Sequence, residues 1–221
     1  MQRVPEPELM DDPAQARAYA EADFAAAHQM LVDAFDACLP GQPPPARVLD
    51  LGCGPADVTL RFARRWPQAR IDGVDGAPAM LALGRERVAR AGLAPRVELH
   101  ALRLPAQDFP AAPYDAIVSN SLLHHLHEPQ ALWETIRAAG RPGSAVYVAD
   151  LMRPRDHAQL QALVAQHAAG APPVLERDFR LSLQAAFRPQ ELRAQLAAAG
   201  LGHFSVQVLS DRHLAVAGLL R

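Results

Sequence analysis

The chain has 221 residues, half of them hydrophobic, a net charge of −2 and an isoelectric point near 6.5. That fits one α/β domain of ordinary size with room for a small cap, and, a local basic patch aside, it gives no sign of a polyanionic partner. All 22 basic residues are arginine, which excludes Schiff-base and lysine general-base chemistry.

The two cysteines, Cys38 and Cys53, suggest neither a disulfide framework nor a metal site. The opening MQRVPEPELMDD is polar and acidic, unlike a signal peptide, and no apolar run reaches the about 18 residues of a membrane span. A cytoplasmic protein with no membrane attachment is the expectation.

In chain order, residues 1–13 read as an irregular arm with three prolines. From Asp12 to Leu39, Tyr19, Phe24, Leu31, Phe35 and Cys38 recur at near-helical spacing. They predict one or two amphipathic helices packed on a later sheet. PGQPPPA, residues 40–46, is a stiff linker.

RVLDLGCGPADVTL, residues 47–60, follows. Val48, Leu49 and Leu51 make a short buried strand, Gly52 and Gly54 a sharp turn with room for a ligand, and a helix opens near Ala56. Its N-terminus supplies unpaired N–H donors and partial positive charge, and Asp50 stands at the strand's ligand-binding end. A dinucleotide site would have G-x-G-x-x-G, but Asp57 occupies the third glycine position and would repel a pyrophosphate. The D-x-G-x-G pattern instead resembles motif I of the class I S-adenosylmethionine-dependent methyltransferases. Ala56 stands where the longer family motif has glycine.

A helix over 56–66 stops at Pro67, and a strand over 70–74 ends at Asp75. Asp75 lies 21 positions beyond Gly54, near the roughly 20-residue offset of an acid that grips a ribose; it is also placed to cap the next helix. Met80, one turn into the helix over 77–91, is a candidate for the adenine face or for the core. After a third strand over 96–102 comes LPAQDFP, where the resemblance implies an adenine contact. Pro105 replaces the acid expected there, which passes the contact to the backbone near Ala106, to Gln107 or to Asp108.

The fourth strand, 114–119, runs into SNSLLHHLHEP. This resembles the L-H-H-x-x-x-P-like stretch after strand four of small-molecule methyltransferases, and it places Ser119 and Asn120 beside the methyl donor. It is not the N-P-P-Y of enzymes that methylate exocyclic base nitrogens, so no DNA substrate is expected. The three histidines invite three readings: metal ligands, groups that pack or cap the next helix, or groups that touch the acceptor. No Cys or His cluster elsewhere completes a zinc site, so no metal is assigned. His124 and His125 are the candidates to orient or deprotonate the acceptor.

A helix over 129–139, the R-P-G-S turn and a fifth strand over 145–151 with Asp150 complete the part that resembles the family best. Residues 153–187 interrupt the alternation where such enzymes build a substrate lid. Arg153, Arg155, Arg177 and Arg180 there are candidates to clamp an acidic substrate or to form a solvated surface. A helix over 189–199 and two strands, 204–209 and 214–220, read as a terminal hairpin that nicotinamide domains normally lack.

The expected fold is therefore α/β and Rossmann-like: a seven-stranded, mostly parallel sheet with a C-terminal antiparallel hairpin and helices on both faces. Residues 1–40 form a helical cap, 46–151 the cofactor-binding core, 152–187 a lid, and 188–221 the terminal helix and hairpin. The resemblance implies methyl transfer from S-adenosylmethionine to a small-molecule acceptor, yielding S-adenosylhomocysteine. Tyr19, Asp50, Gly52, Gly54, Asp75, Met80, Ala106, Gln107, Ser119 and Asn120 would hold the cofactor, with Tyr19 closing over its methionine end. An RNA-modifying or carboxy-S-adenosylmethionine-type enzyme of the same fold, a non-catalytic cofactor-binding protein and a nicotinamide oxidoreductase are the rivals. The accepting atom and the oligomeric state are not legible.

Overall fold

The computed structural model describes residues 1–221. Seven strands form one sheet in the order β3-β2-β1-β4-β5-β7-β6: β1 (Arg47–Leu51), β2 (Arg70–Asp75), β3 (Val97–Ala101), β4 (Ala116–Asn120), β5 (Ala145–Leu151), β6 (Ser205–Val208) and β7 (His213–Leu219). The first five run parallel, and β7 lies antiparallel between β5 and β6. Eight helices complete the chain: α1 (Pro13–Glu21), α2 (Ala25–Cys38), α3 (Asp57–Arg65), α4 (Pro78–Arg90), α5 (Gln130–Ala139), α6 (His157–His167), α7 (Pro173–Ala185) and α8 (Pro189–Ala198). A single 3-10 turn, Leu123–His125, follows β4.

Strand side chains alternate between two cores, as the period of two requires when both faces are covered. Val48, Ala116, Val118, Ala145 and Tyr147 face α2, α3 and α4. Leu49, Leu51, Ile117, Val146 and Val148 face α5 and α8. On the first side Phe35 of α2 meets Phe62, Trp66 and Tyr147 edge to face at 5.1–6.0 Å. This ties the N-terminal helices to the sheet.

The stripe over residues 12–39 is two helices, broken where Ala22 turns extended. A third small core of Leu151, Leu160, Leu163, Val164 and Leu183 seats α6 and α7 over the end of β5. No helix is long and apolar enough to cross a membrane.

Candidate active site

The turn after β1 sets the site. Gly52 and Gly54 take φ of +73° and +50°, a left-handed backbone that side chains resist. A Cβ on Gly52 would come within 2.8 Å of Leu122, whereas one on Gly54 would meet nothing within 4 Å. The first glycine is required by packing; the second opens onto space. Ala56 also holds φ of +65°, so the departure from glycine there is accommodated at some strain.

Around this turn lies a cavity of about 770 Å³, large enough for a cofactor together with a small acceptor. It is bounded by the arm at Glu8–Met10, by α1 and α2, by the ends of β1, β2 and β4, and by α6, α7 and the turn before β7. Its lining carries seven carboxylates and a single arginine.

Asp50, at the end of β1, is 2% exposed. Burial pushes its carboxyl up to about 7, against the Thr59 hydroxyl that donates to it at 2.6 Å. Asp75, at the end of β2, accepts the N–H of Gly54 on one oxygen and of Ala77 on the other, both at 2.8 Å. It thereby anchors both the glycine turn and the residue that leads into α4. Asn120, at the end of β4, has a buried Oδ1 with no partner.

Tyr19 and Met80 line the cavity as expected. Burial pushes the Tyr19 phenol up to about 12, so it stays protonated.

Three residues expected at the cofactor lie off the cavity. Ser119 is buried and donates to the Leu51 carbonyl at 2.8 Å, fastening β4 to β1. Ala106 spends its N–H on Thr135 Oγ1 at 3.1 Å, which draws its segment toward α5, and Gln107 follows it; neither lines the cavity. Of the four candidate clamp arginines none lines the cavity either. Arg153 is buried on Glu191 at 2.5 Å, and Arg155, Arg177 and Arg180 pair with Asp156, Asp178 and Glu176.

The histidine segment is organised by the arm, which carries no periodic signal in sequence. Asp150 accepts the His124 backbone N–H at 3.0 Å and pairs with its Nδ1, while Nε2 faces Glu6 Oε1 at 3.4 Å. Burial alone would lower the His124 pKa, but Asp150 and Glu6 outweigh it and raise it. His125, half-buried beside His124, is pushed down to about 3 and stays neutral. His127 Nε2 bonds the Glu6 carbonyl at 2.8 Å, and Arg3 donates to the carbonyls of His124, Leu126 and Ala185 at 2.6–3.0 Å.

Reading the sequence also missed three cavity histidines: His28, His167 and His213. His28 Nδ1 bonds Asp57 at 2.7 Å, and with Arg61 it holds that carboxyl well below the usual range. Asp57 thus answers to an imidazole rather than standing free at the helix start.

The carboxylates and glycines of residues 50–75 fall inside a segment, residues 48–143, that matches the family described as "Methyltransferase domain". Over that segment the chain is similar to the class I S-adenosylmethionine-dependent methyltransferases. It is 49% identical over 83 residues to a trans-aconitate 2-methyltransferase of Streptomyces avermitilis, covering 36% of this chain and 29% of that one. A trans-aconitate 2-methyltransferase of Variovorax paradoxus is 35% identical over 138 residues, 62% of this chain and 51% of that one. The chain thus spans about half, or less, of these relatives' length. In fold it resembles a SAM-dependent methyltransferase from Aquifex aeolicus, with TM-score 0.68 at 16% identity over 95% of this chain and 99% of that one. The expected methyltransferase fold, hairpin included, is the one observed.

Proposed function

We propose that the protein transfers a methyl group from S-adenosylmethionine to a small-molecule acceptor. The observation that carries this is the cavity's acceptor-rich lining, in which seven carboxylates and the unpartnered Asn120 Oδ1 share one cavity with an open glycine turn. S-adenosylmethionine bears a sulfonium and an ammonium against one carboxylate, so it suits such a lining. A dinucleotide, with its anionic pyrophosphate, does not.

In this reading Asp50 and Asn120 accept from the ammonium, the N–H groups at the turn and the start of α3 receive the carboxylate, and Asp75 accepts from the ribose hydroxyls. Tyr19 and Met80 cover the bound molecule, and α6 and α7 form the lid. When bound, the cofactor supplies a methyl already activated by its sulfonium. What remains for the chain is positioning, which can supply roughly 7–11 kcal/mol. His124, oriented by Asp150, is the group assigned to hold or remove an acceptor proton, and His125 flanks it as a neutral imidazole. If His124→Ala and His125→Ala both leave turnover of the true acceptor unchanged, that role is wrong.

Thermal unfolding with S-adenosylhomocysteine and with NAD, on wild type and Asp75→Ala, tests the cofactor. Ligand at 100 times its Kd stabilises by about 2.7 kcal/mol, several degrees for a chain of this size. A shift with S-adenosylhomocysteine alone, blunted in Asp75→Ala, is the expected result. A shift with NAD alone would overturn the reading.

A further inference from the structure

The cavity changes character beyond β5. There apolar side chains, Leu151, Ala168, Pro172, Leu175 and Phe179, make up most of the wall, with Asp178 and Ser182 of α7 among them. The arginine on the lining, Arg212, is paired with Asp211. Its Nη1 donates to Asp211 Oδ1 at 3.0 Å and lies 2.9 Å from His167 Nε2. An anionic acceptor would find one guanidinium, already paired with Asp211, against seven carboxylates.

The next residue, His213, also lines the cavity, and its tautomer is fixed by its neighbour. Ser210 Oγ receives the backbone N–H of Arg212 at 3.3 Å and of His213 at 3.1 Å, which uses both its lone pairs. Its own hydroxyl hydrogen must therefore go to His213 Nδ1, 3.0 Å away. Nδ1 accepts, so Nε2 carries the ring hydrogen and is the donor edge left for the cavity. Burial keeps this imidazole neutral down to about 4, so it donates without adding charge.

We infer that the acceptor is an uncharged molecule with an aryl or alkyl body, bearing an oxygen that takes a hydrogen bond from His213 Nε2–H. Polycarboxylates such as trans-aconitate, named for the relatives, are not its substrates. The inference rests on the methyl-transfer reading. In the transfer the acceptor's heteroatom forms the new bond to the methyl carbon, the carbon–sulfur bond breaks with its electron pair left on sulfur, and a hydroxyl proton passes to His124 or to water.

Calorimetry on the S-adenosylhomocysteine-loaded protein tests it with 2-naphthol, 1-octanol, naphthalene and trans-aconitate. The two alcohols should bind and trans-aconitate should not. His213→Phe should weaken 2-naphthol about three- to tenfold, the worth of one net hydrogen bond, and leave naphthalene and S-adenosylhomocysteine unchanged. His213→Gln, which keeps a donor, should bind 2-naphthol within twofold of wild type. Tighter binding of trans-aconitate than of either alcohol overturns the inference, as does no binding of either alcohol, or an equal loss of naphthalene in His213→Phe. Failure of S-adenosylhomocysteine itself to bind would sink the methyl-transfer reading, and this one with it.

Discussion

Asp50 and the two glycines make the sharpest residue-level predictions. Folding raises the Asp50 pKa from an ordinary carboxylate value to about 7, so the native state binds the extra proton between those values. Stability from this group therefore falls as pH rises through that window and is flat above it. The ligand's ammonium needs the ionised form, so S-adenosylhomocysteine binding should weaken below pH 7, approaching tenfold per pH unit. Calorimetry in buffers of different ionisation enthalpy should show proton release near pH 6.5, absent in Asp50→Asn. The glycines should separate folding from binding. Gly52→Ala drives a methyl into Leu122 at positive φ and should destabilise by about 1–3 kcal/mol. Gly54→Ala meets no protein atom, so chemical denaturation should show the smaller loss of stability and titration the larger loss of cofactor affinity.

Among the elements, the arm is the piece whose sequence hides its role. Its contacts run to carbonyls and imidazoles more than a hundred residues away, and RVPEPELMDD has no period that could announce them. The helices, strands and glycine turn were legible because each rests on local spacing, and Asp75 because parallel strand ends lie side by side. Ala106 was not, since a hydroxyl 29 residues further on captures its N–H. His213, one residue ahead of the strand expected over 214–220, carried no signal because its role depends on Ser210 filling its own lone pairs. Arg3→Ala would strip three carbonyls of a donor and Phe187 of the guanidinium stacked 4.1 Å above its ring. We expect a cost of about 1–3 kcal/mol and faster limited proteolysis within residues 1–11, with the sheet intact by circular dichroism. The His124–Asp150 pair adds a pH window. Its stability is lost as pH falls through the depressed Asp150 pKa and as pH rises through the raised His124 pKa. Unfolding midpoints of wild type and His124→Gln should converge at both extremes.

At the scale of the molecule, charge and topology govern. The net charge is only −2, yet carboxylates gather on one cavity. A cationic cofactor should therefore be drawn in by the local field, and its association rate should fall as salt rises from 10 to 500 mM. Stopped-flow measurement across that range checks it; a flat profile would mean the acids are screened or protonated. Topology carries a different consequence. β7 is wedged between β5 and β6, pairing with β5 along all seven of its residues, although more than sixty positions separate them. During synthesis β5, an apolar strand buried throughout in the finished protein, must wait for residues 213–219 with one edge open. An open, apolar strand edge is a template for a second chain. The hairpin that closes the sheet thus also guards the nascent protein against its own copies, and a ribosome stalled before residue 213 would release a chain prone to aggregate.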